Sequence, residues 1–173
     1  RHYRLSMKKP IILAALLVLS ACSDSPEDSF AKAQAEFAAH DYGAARIHIA
    51  AALSAQPDNR EMLLLQARTL IAMGDGDGAG AAIEKLSQGQ KPGAELAELG
   101  AEAALLRKAP DAALDLLGTL GTAEAERLRA LVALQKNDMP AAQAYFEKAI
   151  GDGRNARAFA DYARYRLIAG DVA

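Results

Sequence analysis

The chain has 173 residues, 51% apolar, 5% aromatic and 24% charged, with 20 lysines and arginines against 22 acids for a net charge of −2. That balance argues against nucleic acid as a partner, because phosphate binding needs a basic surface. Tryptophan is absent and alanine dominates, which suits one domain of closely packed helices rather than a sheet of branched and aromatic residues.

In chain order, Met7 is the expected start, with residues 1–6 lying upstream of it. Lys8 and Lys9 then precede an apolar stretch, Ile11 to Leu19, and the small residues Ser20 and Ala21 lead into Cys22, the only cysteine. Basic, apolar and small residues in that order form a secretory signal. As a helix the apolar core would extend about 13 Å at about 1.5 Å per residue, short of a hydrocarbon layer about 30 Å thick. A transmembrane anchor is therefore disfavoured. With one cysteine there is no disulfide within the chain, and a lone thiol in an oxidising compartment is a liability unless something consumes it. The run Leu19-Ser20-Ala21-Cys22 resembles the lipobox of bacterial lipoproteins. The resemblance implies cleavage between Ala21 and Cys22, acylation of the Cys22 thiol, and attachment to a membrane through the lipid. A plain secretory signal with an incidental cysteine is the alternative. Residues 7–21 are then the signal, and 22–28 the lipidated cysteine and a polar tether. Removing residues 1–21 takes away Arg1, Arg4, Lys8 and Lys9 and no acid, so 16 basic residues remain against 22 acidic ones, a net charge of −6. Ser23 after the cysteine resembles the enterobacterial pattern sorted to the outer membrane rather than the inner.

From Ser29 onward the sequence repeats. The turns His40-Asp41-Tyr42, Gly74-Asp75-Gly76, Asn137-Asp138-Met139 and Gly170-Asp171-Val172 each carry an aspartate able to cap a following helix. Their aspartates are separated by 34, 63 and 33 residues, and the gap of 63 admits one more unit, with the turn Lys108-Ala109-Pro110-Asp111. Eight residues before the five turn aspartates stand Ala33, Ala67, Ala103, Ala130 and Ala163. After the first four turns a small residue is followed four later by a bulky one: Ala45 and Ile49, Ala79 and Ile83, Ala112 and Leu116, Ala142 and Phe146. A spacing of four places each pair on one helix face. The pattern predicts helices over 27–39, 42–54, 60–73, 78–87, 94–107, 110–118, 122–136, 139–150 and 155–169. An unrelated alanine-rich bundle with chance spacing is the competing reading. Period, turns and stripes together resemble the tetratricopeptide repeat, whose usual period is about 34. The resemblance implies an all-α solenoid of about four and a half helix hairpins over residues 29–173. The fifth turn falls at the end of the given sequence, so a longer repeat protein is expected, with the last helix left without a successor for Phe159, Tyr162, Tyr165, Leu167 and Ile168.

Catalysis needs convergent nucleophiles, bases or ligands, and none converge here. His2, His40 and His48 have no ligand spacing among them. Gly74 to Gly78 is suggestive of a calcium loop but lacks the further oxygen ligands such a loop requires. No catalytic residue, metal site or cofactor is expected. Binding is the stronger expectation, because the first helices of stacked hairpins line a concave groove. The register gives Phe30, Gln34, Phe37, Leu64, Arg68, Ile71, Arg127, Leu131, Arg164 and Leu167 as groove candidates for a protein or peptide partner. The arginines suit an acidic segment, unless they are paired with neighbours such as Glu61 or Glu126. The stretches Asp41 to Asn59 and Leu63 to Leu86, behind a lipobox, resemble the N-terminal part of the repeat lipoproteins of PEP-CTERM/exosortase systems. That resemblance implies a periplasmic scaffold in exopolysaccharide production and surface-protein sorting. An outer-membrane or type IV pilus assembly lipoprotein, or the substrate-positioning module of a longer enzyme, are the alternatives.

Overall fold

A computed structural model describes residues 24–151 and 153–170. Among them lie nine α-helices and no strand: α1 (Pro26–Ala38), α2 (Tyr42–Ala55), α3 (Arg60–Ala72), α4 (Gly76–Ser87), α5 (Ala94–Leu106), α6 (Pro110–Leu117), α7 (Ala123–Gln135), α8 (Met139–Ile150) and α9 (Ala156–Ala169). All nine were expected, with ends differing by at most two residues. Pro26 to Asp28, read above as tether, form the first turn of α1, because Ser25 Oγ accepts from the Asp28 N–H (3.0 Å). The largest difference is α4, which starts at Gly76 rather than 78. A Cβ at Gly76 would lie 2.6 Å from the Ala103 carbonyl oxygen, so glycine lets α4 begin directly against α5.

The hairpin turns explain the repeat. His40, Gly74, Lys108 and Asn137 are all left-handed, with φ of 62, 80, 59 and 60°. At the first, the Asp41 N–H donates to the Glu36 carbonyl (2.9 Å) and the His40 N–H to that of Phe37 (3.0 Å). The same pair of bonds recurs at the other three turns, closing the preceding helix and satisfying its last carbonyls. The next residue then opens the following helix. Asp41 accepts from the Ala44 N–H (3.0 Å), Asp75 from Gly78 (2.8 Å) and Asp138 from Ala141 (3.1 Å). One three-residue turn thus ends one helix and begins another.

The third unit corrects the sequence register. Its capping position is held by Ala109, which has no side chain to cap with, so the four positions are 41, 75, 109 and 138. Asp111 instead sits in the first turn of α6 and pairs with Lys136 Nζ (2.5 Å). Two assignments move with it. Ala101, rather than Ala103, stands in register with Ala33, Ala67 and Ala130. Ala113 and Leu117, rather than the exposed Ala112 and half-buried Leu116, form the second-helix stripe. The following repeat is only 29 residues on because α6 has eight residues, against 12 to 14 in α2, α4 and α8.

With that register, burial is uniform. Ala33, Ala67, Ala101 and Ala130 are fully buried, as are Ala45, Ala79, Ala113 and Ala142. Ile49, Ile83, Leu117 and Phe146 follow them into the core. Core clusters group Ala67 with Ala79 and Ile83, Ala101 with Ala113 and Leu117, and Ala130 with Ala142 and Phe146. First helices pack on first helices from unit to unit (α1 on α3, α3 on α5, α5 on α7, α7 on α9), whereas the backbones of α2, α4, α6 and α8 stay further from one another. Helices that meet on one side and diverge on the other form a curved row, with the first helices inside.

Glycine is the residue best suited to a left-handed turn. Lys108→Gly is therefore expected to raise stability by about 0.5–1 kcal/mol, seen as a higher urea midpoint at unchanged slope. His40→Gly should gain less, because the His40 ring is held by the Tyr42 hydroxyl (2.8 Å).

Candidate functional site

The first helices present three recurring positions to the inner side of the row. Phe30, Leu64, Glu98, Arg127 and Ala160 share one; Gln34, Arg68, Glu102, Leu131 and Arg164 the next; Phe37, Ile71, Leu105, Leu134 and Leu167 the third. The third is apolar in every unit. Two clefts open along it. One, of about 460 Å³, is lined by Phe37, Arg68, Ile71, Leu99, Glu102 and Arg157. The other, of about 480 Å³, includes Leu105, Leu131, Leu134, Arg164 and again Glu102. Phe37, Arg68 and Ile71 are thus brought together, and so are Leu131 and Arg164, with Glu102 between the two sets. Phe30 and Leu64 are half-buried and Gln34 exposed; none of the three lines either cleft.

Arg127 corrects an expectation. It is 2% exposed and its guanidinium is enclosed by Glu124 (2.7 Å), Asp161 (2.6 Å) and Glu102 (3.4 Å). It is committed to the interior and presents no charge to a partner. Arg157 on α9 also pairs with Glu102 and, at 3.1 Å, with Glu124, while Asn155 donates to Glu124 (3.0 Å). Carboxylates and guanidinium groups from α5, α7 and α9 therefore interlock beneath the clefts. Arg68 is half-exposed and pairs with Glu95 (2.5 Å). Arg164 is the most open of the three, 75% exposed and 3.6 Å from Asp161.

Burial by itself raises the Glu124 carboxyl pKa, but the hydrogen bond and charge of Arg127, then Asn155 and Arg157, outweigh it and hold the group below the usual glutamate range. Desolvation lowers the Arg127 pKa, and Glu124, Glu102 and Asp161 reverse that, leaving it above its ordinary value. Both shifts favour the ion pair.

Glu102, Glu124, Asp161 and Arg157 were missed by sequence reasoning. Glu102 had a signal, standing 34 residues after Arg68 in the same register. Arg157 had none, because a side chain reaching across α7 leaves no period. Cys22 and the lipobox residues Leu19, Ser20 and Ala21 lie outside the described residues. Among the described residues, no group of three or more His, Cys, Asp or Glu is placed to hold a metal ion, and no helix is long and apolar enough to cross a membrane. On the opposite side of the row a cleft of about 520 Å³ lies between α4 and α6, floored by Gly80 and Gly100. Its residues do not recur from unit to unit.

Arg127→Met leaves three carboxylates without their central cation, and is expected to cost about 3–5 kcal/mol in urea unfolding. Because the folded-state pKa of Glu124 is depressed, its contribution is complete above the ordinary glutamate value of about 4.3 and is lost as pH falls through the lower folded value. Unfolding free energy should drop across that interval, and Glu124→Gln should make the drop shallower.

No protein-family model and no curated protein sequence matches the chain. Solved structures similar to it include the following two. The thermophilic TPR protein TTC0263 of Thermus thermophilus superposes with a TM-score of 0.72 at 18% identity, covering 85% of this chain and 84% of that one. The MamA protein gives 0.60 at 20% identity, covering 84% and 83%. With the helices of its described residues in sequential antiparallel hairpins, the chain has the tetratricopeptide-repeat fold.

Proposed function

We propose that the chain is a protein–protein interaction scaffold of the Gram-negative cell envelope, held to a membrane by a lipid on Cys22 and gathering partners along the inner side of its first helices. The observation that carries the binding role is the apolar position repeated in every unit, Phe37, Ile71, Leu105, Leu134 and Leu167, flanked by clefts with exposed arginines at their rims. A ladder of apolar side chains with a polar margin suits an extended or helical protein segment. The fold shared with TTC0263 and MamA supports the same reading. The sequence's likeness to PEP-CTERM/exosortase repeat lipoproteins supports a place in exopolysaccharide production and protein export or sorting. Ser23 favours the outer membrane, with the repeats in the periplasm.

Photo-reactive residues at Ala72 and Gln135, on the cleft rims, should give the same protein adduct in cells. One at Ala50, exposed on α2, should give none; equal yields at all three positions would remove the binding reading. Separately, Cys22→Ser should move the protein from the membrane to the soluble periplasmic fraction or leave uncleaved precursor, and persistent lipid labelling of the variant would end the anchoring reading.

A further inference from the structure

The cleft between α4 and α6 marks where the third unit departs from the others at a single position. One residue before the buried alanine, the first helices carry Lys32, Gln66 and Arg129, and the third unit carries Gly100. Arg129 shows what a long side chain does in that register: its guanidinium donates to the Gly118 carbonyl just past α6 (3.0 Å) and pairs with Glu126 (2.7 Å). Gln66 likewise lines a smaller cleft, of about 390 Å³, beside α4. Gly100 is buried and fills nothing. A Cβ on it would lie 3.2 Å from Leu116 Cδ1 and 3.8 Å from Ile83 Cγ2, so the floor is bare and the walls above it are apolar. The space left, about 520 Å³, falls within the range of small-ligand sites.

The same unit leaves a cation unmatched. In the fourth unit Lys136, at the end of the first helix, pairs with Asp111 in the first turn of α6 (2.5 Å). Arg107 is the register equivalent of Lys136, yet among the described residues its guanidinium has no hydrogen-bond or ion-pair partner. Its side chain lies along α4 instead. A Cβ at Gly76 would be 2.9 Å from Arg107 Cγ, and one at Gly80 would be 2.6 Å from Nη1. Two glycines one turn apart thus admit an exposed guanidinium to the edge of the apolar cleft.

A ligand with an apolar body and an anionic end answers both features. Asp77 and Glu84, exposed on α4, border the same cleft and disfavour a polyanion, so a single carboxylate suits Arg107 best. The body is a hydrocarbon rather than a peptide. The floor is helix backbone bonded within itself, and Ser87 Oγ already donates to the Ile83 carbonyl (2.9 Å). Peptide amides turned toward that floor would give up water without gaining a partner, whereas an alkyl chain has no such groups. From Asp77 to Ser87, α4 runs about 15 Å at about 1.5 Å per residue, which is room for an extended chain of medium length.

We propose that the cleft between α4 and α6 binds a medium-chain fatty acid, with its carboxylate on Arg107 and its alkyl chain over Gly100 between Ile83 and Leu116. This goes beyond the scaffold reading and is independent of it, because the apolar ladder lies on the other side of the row.

The test is methyl-resolved NMR of the full chain in neutral detergent, titrated with decanoate below its micellar concentration. Ile83 and Leu116 methyls should shift saturably, while Ile71 and Leu134 in the ladder stay still. Decanol should bind about fivefold more weakly, the worth of one exposed charge pair, and Arg107→Met should remove that difference. Gly100→Gln, which restores the side chain present at Gln66, should abolish the shifts with the remaining spectrum native. Unmoved Ile83 and Leu116 methyls, equal affinity for decanoate and decanol, or decanoate binding indifferent to Arg107→Met would each overturn the proposal. Larger shifts at Ile71 and Leu134 would do so by placing the acid in the ladder. Tighter binding of an apolar tripeptide with a free C-terminus would do so by assigning the cleft to a protein end.

Discussion

The fold rests on how closely the two helices of each hairpin approach. At Ala33, Ala67, Ala101 and Ala130 nothing larger than a methyl group separates the first helix from the second, and Ala45, Ala79, Ala113 and Ala142 answer from the other side. Interiors are packed as densely as organic crystals, so a larger side chain at any of these places would force the hairpin apart. The bulky residues Ile49, Ile83, Leu117 and Phe146 then fill the space one turn further on. The same alternation gives an alanine-rich chain with few aromatics a continuous core without a deep centre.

Turn chemistry sets the angle at which that contact is repeated. A left-handed residue closes one helix, and its successor opens the next, so every hairpin has the same short connection. Where the capping aspartate is replaced by Ala109, the turn keeps its shape through Pro110, whose fixed φ suits a first helical position. What the third unit lacks in capping is balanced elsewhere. Arg127 draws Glu102, Glu124 and Asp161 around it, tying α5 to α7 and α9 where α6 is short. Such a network is stabilising only when every charge in it is satisfied, which explains why a groove arginine became an interior one.

Much of this architecture was legible in the sequence. Helix count, helix ends and the burial of the alanine stripes followed from period and spacing, because each unit repeats the same local chemistry. Unit three was misplaced by one or two residues because Asp111 carries the expected side chain at an unexpected position, whereas the true capping site holds alanine. The candidate face was partly legible. Phe37, Ile71 and Leu131 fell where the register put them, since their positions depend on helix periodicity. Arg127 did not behave as a surface charge, since its surroundings come from α5 and α9, 25 and 34 residues away. Contacts of that kind are decided by side-chain reach between helices, which a single sequence does not record.

The salt bridge from Arg157 to Glu102 spans 55 residues. In an array whose units touch only their neighbours, melting can proceed piecemeal from either end. A link that skips over α7 adds a second-neighbour term: when α9 frays, α5 also gives up a partner, so the two ends of that stretch are coupled by a surface ion pair worth up to about 1 kcal/mol.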